Sequence, residues 1–205
     1  MLNNIIVIDD VVSKMYQEFL ENELLGSATP WYFKQDAAYD VASLRYQDKT
    51  KQRTPVCGSL FFNVEMGGII HAGLHFVTLP IAFEAFSKAG IEPGYLVKSR
   101  SFLYFPLATD RLHDNPHVDA AISNLVCLYY VNDSDGDTFI FDKTAADIDP
   151  DRDSFENVEF KIVKRIEPKR GRAVIFDGSI YHASSNPTKG PRCIVNFNFT
   201  TNRFE

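Results

Sequence analysis

The chain has little cysteine, no long apolar run and no block of like charge, and each shortage excludes something. Its three cysteines, Cys57, Cys127 and Cys193, are odd in number and widely spaced. They make neither a disulfide framework nor a CxxC metal knuckle. Cys127 and Cys193 lie inside apolar runs, which predicts small buried hydrophobes and suits a reducing compartment. No run approaches the ~18 apolar residues of a membrane-spanning helix. Asp9 and Asp10 directly follow the opening apolar run, which is wrong for a secretory leader. The expectation is a cytoplasmic protein with no membrane partner. There is no internal repeat and no low-complexity linker. The balance of 21 basic against 27 acidic residues, a net charge of −6, argues against a nucleic-acid partner, which usually meets a basic face.

What is present is apolar and aromatic. Of the 205 residues 45% are hydrophobic, with 17 Phe and 9 Tyr, and 23% are charged. A chain of this size and composition buries enough surface for one domain, 1–205, without staples. Its first part, 1–94, reads as a helical and mixed support region. The opening apolar run, Asn4 to Ile8, is of β type. Asp9 or Asp10 can then cap a helix from about Val12 to Leu25. The apolar residues Val12, Met15, Tyr16, Phe19 and Leu20 share its face, and Gly26 stops it. Thr78 and Pro80 open a second helix that ends at Gly90. Between the helices the signals are weak, and the polar gap from Asp36 to Gly58 is a candidate mobile loop.

From about residue 95 to 200 the pattern changes to short β-branched and aromatic runs between polar turns. The runs are Leu96–Phe105, Ala121–Val131, Thr138–Phe141, Val158–Ile166, Ala173–Phe176 and Cys193–Thr200. Many short strands predict a sandwich or barrel, and helices preceding strands predict helices packed outside a β core. The fold class is therefore mainly β with flanking helices (α+β), built as a double-stranded β-helix of the jelly-roll or cupin-like kind.

Three features in this β region carry chemistry. His117-Val118-Asp119, read as part of a strand, places an imidazole and a carboxylate at i and i+2, the same side of that strand. With 5 His and 17 Asp in the chain, about 0.4 such pairs arise by chance, so the pair alone also fits a surface position beside a turn. His182, in Ile180-Tyr181-His182-Ala183-Ser184, follows the run Ala173–Phe176 and the turn Asp177-Gly178. A jelly roll can return it beside His117; alone, it also fits a satisfied core histidine. Two histidines and one carboxylate suit non-haem Fe(II), which needs open positions. Arg192 begins an alternating strand, so it can face inward with Ile194, Asn196 and Asn198. An inward guanidinium requires an anionic partner and matches a carboxylate in bidentate fashion, whereas an outward one is an ordinary exposed arginine.

An HxD pair, a distal His and a basic residue ten positions later, in this order, resemble the Fe(II)/2-oxoglutarate-dependent dioxygenase superfamily. Within it the chain is similar to the prolyl-4-hydroxylase-like branch, in its small phage and bacterial form. The resemblance covers roughly Leu96 to Phe199, with a weaker echo in the opening helix and Pro30-Trp31-Tyr32-Phe33. It implies that His117, Asp119 and His182 hold Fe(II). It implies that Arg192, helped by Tyr130, binds the distal carboxylate of 2-oxoglutarate, with Tyr104 lining the same pocket and which of the two tyrosines touches the co-substrate left open. O2 is then the oxidant, ascorbate a candidate reductant, and succinate the co-product of hydroxylating a peptidyl proline, another protein side chain or a small molecule. A viral source would place it in host cytoplasm.

Several residues keep alternatives open. His113 is a rival ligand that lacks the i+2 carboxylate. His71 and His75, four apart, read as structural or substrate-facing. Arg100, Trp31, Phe33 and the acidic stretch Asp147–Asp153 could border a substrate groove, although that stretch also reads as a solvated loop. Asn196 and Asn198 could support the ligands or bond backbone. Two rivals remain. One is a cupin-type metal enzyme of another class, which has no need of Arg192. The other is a non-catalytic jelly-roll binding or virion module, which tolerates loss of His117 and Asp119. The sequence leaves the oligomeric state open.

Overall fold

The structure, a computed structural model, describes residues 5–35, 54–119, 123–149, 153 and 158–201. Most of the polar gap after Asp36, and the middle of the acidic stretch, lie outside the described residues. Among the described residues, eleven strands run in chain order as β1 (Ile6–Ile8), β2 (Tyr32–Lys34), β3 (Val56–Asn63), β4 (Gly68–Ile69), β5 (Leu96–Tyr104) and β6 (Asn124–Tyr130). They continue as β7 (Thr138–Thr144), β8 (Ile162–Ile166), β9 (Ala173–Asp177), β10 (Ile180–Ser184) and β11 (Arg192–Thr200). The helices are α1 (Lys14–Leu25) and α2 (Ala72–Ala89). None of the helices described is long and apolar enough to cross a membrane.

Two antiparallel sheets form a jelly roll. The larger has the order β1-β9-β6-β11-β5-β3-β2 with β4 on β3, and the smaller is β10-β7-β8. The segment before residue 95 thus adds strands to the larger sheet as well as helices behind it. Period-two alternation assigns each strand two faces. On β6 and β11, Cys127, Tyr129, Cys193, Val195 and Phe197 face the helices, where Leu20, Leu24, Ile81 and Phe86 complete a fully buried cluster. The intervening residues Val126, Leu128, Tyr130 and Ile194 face the smaller sheet and pack with Ile140, Val174, Phe176 and Ile180. Each such fully buried large side chain contributes about 1.5–3 kcal/mol.

Both helices differ from the sequence reading. Ser13, rather than Asp9 or Asp10, caps α1, its side chain accepting from the Tyr16 N–H at 3.3 Å. Asp10 instead accepts from Gln17 Nε2 at 3.0 Å. The face turned inward is Gln17, Leu20 and Leu24, while Met15 is 81% exposed. The inward stripe is therefore centred on Leu20 and Leu24, with Phe19 on the exposed side. Gly26 does end the helix, because a Cβ there would lie 2.5 Å from the Asn22 carbonyl oxygen. In α2 the start moves upstream to Ala72, so Pro80 lies inside the helix. Proline deprives the carbonyl four residues back of its donor. Phe76 and Pro80 are both on the exposed side, where water can supply that bond.

Cys127 and Cys193 are buried and unpaired, and Cys57 is half-buried. Burial pushes the thiols of Cys127 and Cys193 up to about 12, which leaves almost no thiolate to react. A thiol reagent is expected to modify Cys57 alone in the native protein and all three cysteines after denaturation. Peptide mass mapping that finds native labelling at Cys127 or Cys193 would contradict this packing.

Candidate metal centre and anion pocket

A tight corner between the sheets positions the first ligand candidate. After β9 the chain turns at Asp177-Gly178, where the Ser179 N–H donates to Asp177 Oδ1 at 2.9 Å. Only glycine fits the second position, since a Cβ would fall 2.2 Å from Asn124 Oδ1. The chain then leaves the larger sheet and enters the smaller one as β10, carrying His182. His117 sits opposite His182 as an isolated antiparallel bridge, each N–H donating to the other's carbonyl at 2.9 Å. Paired residues in such a bridge project to the same side, and the two imidazole centroids are 4.7 Å apart. The expectation that the whole HxD pair lies in a strand is not met: His117 makes only this bridge and Asp119 lies in a bend. The alternation nevertheless holds. Val118 packs outward against the cluster around Phe139 and Tyr181, which turns Asp119 inward.

The candidate ligand atoms of His117, Asp119 and His182 all lie within 4.8 Å of one another. Nε2 of His117 is 3.9 Å from Asp119 Oδ1, and Nε2 of His182 is 3.8 Å from Oδ2. Each Nδ1 meets a backbone carbonyl, that of Asn115 at 3.1 Å and that of Ile180 at 3.0 Å. A carbonyl only accepts, so the proton belongs on Nδ1 and the Nε2 lone pair faces the carboxylate, the arrangement of metal-binding histidines. Burial, together with His182, lowers the His117 pKa to about 4, which keeps its lone pair free at neutral pH. Burial works against ionising Asp119, but Arg100, His182, His117 and Asn196 outweigh it and hold the carboxylate well below its usual range. The donor set therefore fits a divalent metal with open positions.

Asp119 is held from several sides. Asn196 Nδ2 donates to Oδ2 at 2.7 Å and Asn198 Nδ2 to the same oxygen at 3.3 Å. Both asparagines thus bond the Asp119 carboxylate through Nδ2. Arg100 Nη2 donates to Oδ1 at 2.6 Å. This ion pair had no sequence signal, because Arg100 and Asp119 become neighbours only through the pairing of β5 with β11, in which Arg100 stands opposite Asn196.

From the metal candidates a cleft lined by Phe102, Leu128, Phe176 and Ile194 runs to Arg192. Arg192 faces inward and is only 1% exposed, so the exposed reading of it does not apply. Its Nη2 donates to Thr138 Oγ1 at 2.9 Å. Its guanidinium lies 4.9 Å from the Tyr104 ring centroid and 5.8 Å from that of Tyr130. Its Nε and Nη1 are buried without a hydrogen-bond partner among the described residues. Tyr104 lines the cleft, and Ser184 Oγ donates to its hydroxyl oxygen at 3.4 Å. Burial raises the Tyr104 pKa, which keeps that hydroxyl protonated as a donor. The Tyr130 hydroxyl instead donates to Thr138 Oγ1 at 2.8 Å. Thr138 and Ser184 were missed by sequence reasoning: they meet only because β7 pairs with β10 in this register.

The other candidates lie elsewhere. His113 bonds the Asp114 carbonyl oxygen through Nδ1 at 2.7 Å and packs its ring on Phe139 and Phe141, apart from the ligand group. His71 accepts from the Leu74 N–H at 3.2 Å as the cap of α2, and His75 stacks on Phe62. Both are structural. Trp31 packs with the helix-facing cluster, and Phe33 is 68% exposed on β2. Trp31 is therefore on the opposite side of the larger sheet from the cleft. Asp147 caps a helical turn by accepting from the Thr144 N–H and hydroxyl.

No family model matches the sequence, and no curated protein matches it. Solved structures do match the fold. The non-heme alpha ketoglutarate dependent epimerase SnoN from nogalamycin biosynthesis superposes with a TM-score of 0.64 at 16% identity, over 97% of this chain and 79% of that one. The viral collagen prolyl hydroxylase vCPH from Paramecium Bursaria Chlorella virus-1 gives 0.55 at 12%, over 95% and 94%. A prolyl hydroxylase from Trichoplax adhaerens, solved with a hypoxia inducible factor oxygen degradation domain peptide, gives 0.56 at 15%, over 97% and 84%. The chain shares the jelly-roll fold of these proteins.

Proposed function

We propose that this protein is an Fe(II)- and 2-oxoglutarate-dependent oxygenase, with residues 1–205 acting as one oxygenase domain. One observation carries the reading. A fully buried Arg192 with two partnerless nitrogens closes a cleft whose other end presents two inward imidazoles and a carboxylate. A buried cation is costly without an anion, and a dicarboxylate that also binds metal suits both ends. The cupin-type and non-catalytic readings give Arg192 no task.

His117, Asp119 and His182 would hold the iron, with Asn196 and Asn198 fixing the carboxylate. Arg192 receives the distal carboxylate of 2-oxoglutarate through Nε and Nη1, and the Tyr104 hydroxyl is placed to donate to the same group. Phe102, Leu128, Phe176 and Ile194 exclude water along the cleft. Bound iron supplies activation of O2, coupled to conversion of 2-oxoglutarate to succinate and CO2 and to hydroxylation of a substrate C–H bond. The shared fold of prolyl hydroxylases makes a peptidyl proline, or another protein side chain, the first substrate class. The likeness to an epimerase of nogalamycin biosynthesis adds small molecules as the second. A cytoplasmic setting accords with three free thiols and with keeping iron ferrous.

The test is anaerobic. Fe(II) and then 2-oxoglutarate are added to metal-free protein, with His182→Ala as control. A weak visible charge-transfer band is expected in the wild type only. Iron binding without the band would favour the cupin-type enzyme, and no iron binding the binding module.

A further inference from the structure

We infer that Arg100 is an anion-recognition residue, and that the primary substrate carries a carboxylate or similar oxyanion near the carbon presented to the metal. This rests on the oxygenase reading and adds a substrate class to it. Arg100 lines the same cleft as Arg192 but at its other end. Tyr104 stands opposite Arg192 in the β5–β11 pairing, and Arg100 opposite Asn196. Four residues of strand separate them, roughly 13 Å. The guanidinium rests 5.1 Å from the Phe102 ring centroid, and the Lys34 ammonium 5.2 Å from the same centroid.

Charge decides what Arg100 needs. Its side chain is 14% exposed, and its one acidic partner among the described residues is Asp119. Its Nε is buried without a partner. A divalent cation held among His117, Asp119 and His182 would draw on the charge of Asp119 and repel the guanidinium. The divalent cation, Asp119, the dianionic co-substrate and Arg192 together are neutral. Among the described residues Arg100 is then left, mostly buried, without a counter-ion, which is unfavourable. Both carboxylates of 2-oxoglutarate already have partners, one at Arg192 and one at the metal. The missing anion is assigned to the substrate, whose planar oxyanion the guanidinium fork fits.

Formate is the probe. Mn(II)-loaded protein saturated with 2-oxoglutarate is titrated with ¹³C-formate, and paramagnetic broadening of its line reports an anion beside the metal. Saturable broadening is expected in the wild type. Arg100→Gln is expected to weaken it by about tenfold or more, and Arg100→Lys by less. The Mn(II) affinity of Arg100→Gln should rise, since Asp119 loses a competitor, while 2-oxoglutarate affinity stays the same. Metal loading gives Asp119 a counter-cation in the variants, and Arg100→Lys keeps a charge should Arg100→Gln fold poorly. No broadening in the wild type, or equal broadening in Arg100→Gln, overturns the inference. So does weakened 2-oxoglutarate binding in Arg100→Gln, which would make Arg100 a co-substrate residue. A wild type that binds neither Mn(II) nor 2-oxoglutarate overturns the oxygenase reading itself.

Discussion

Replacing Arg192 by methionine is expected to make the ligand-free protein more stable and to abolish most of its affinity for 2-oxoglutarate. The two effects have one cause. In the ligand-free protein Arg192 is a buried charge with one hydrogen bond, to Thr138, and two partnerless nitrogens. The flanking rings of Tyr104 and Tyr130 compensate it only in part, since such contacts reach ~2 kcal/mol when desolvated. Methionine fills similar space without a charge. Substitutions of buried ionic groups by apolar ones of like volume are neutral or stabilising by about 1–4 kcal/mol. On the proposed function, the same guanidinium would complete a buried, hydrogen-bonded charge pair with the dicarboxylate, and truncating one partner of such a pair costs about 2–5 kcal/mol. The dissociation constant should therefore rise roughly 30- to 5,000-fold. Thermal melting separates the effects: Tm of the ligand-free variant rises, while the upward shift that 2-oxoglutarate gives the metal-loaded wild type disappears. A variant less stable without ligand, yet still shifted by 2-oxoglutarate, would mean that Arg192 has a structural role only.

Asp119→Ala is expected to be far more damaging to the metal-free fold than His182→Ala, although both remove a proposed ligand. Asp119 is the counter-ion of Arg100 and accepts from Asn196 and Asn198. Its loss leaves a mostly buried guanidinium and the Asn196 amide without their acceptor, while the Asn198 amide keeps its bond to Asn124 Oδ1 at 3.2 Å. Breaking a buried pair from one side costs about 3–5 kcal/mol, a large part of a domain's usual stability of about 5–15 kcal/mol. His182 bonds a backbone carbonyl through Nδ1 and packs edge-on to Phe176, so removing its ring leaves no buried charge. Urea unfolding of chelator-treated proteins measures the difference. The double variant Arg100→Met with Asp119→Ala should recover much of the lost stability, since it removes both charges. Equal costs for Asp119→Ala and His182→Ala, or no recovery in the double variant, would show that Arg100 and Asp119 are not energetically coupled. All variants lacking Asp119 or His182 should fail to retain metal in equilibrium dialysis.

Two levels of physics separate what was legible in the sequence from what was not. The alternation of β11 is local. Once Cys193, Val195 and Phe197 are read as one buried face, Arg192, Ile194, Asn196 and Asn198 must share the other, and the structure places them there. The same local rule turns His117 and Asp119 to one side around Val118. The run of short apolar segments and polar turns pointed to a sandwich or barrel, because half-apolar strands must bury one face against another sheet or across a closed one. Helix boundaries were less legible. Ser13 and Asp10 are equally good caps by chemistry, and Pro80 resembles a helix start unless its exposed side is known.

Tertiary structure alone decided the rest. The sequence offered His113 and His117 as rivals. The pairing of His117 with His182 across the bridge, and the packing of His113 on Phe139 and Phe141, separate them. Thr138 and Ser184 join the pocket through the register of β7 on β10. Arg100 reaches Asp119 through the register of β5 on β11. The sequence by itself determined which side chains share a face, because that follows from a period of two along each strand. Which faces meet, and in which register, depends on closing loops between residues as far apart as 100 and 196, and no local periodicity encodes that distance.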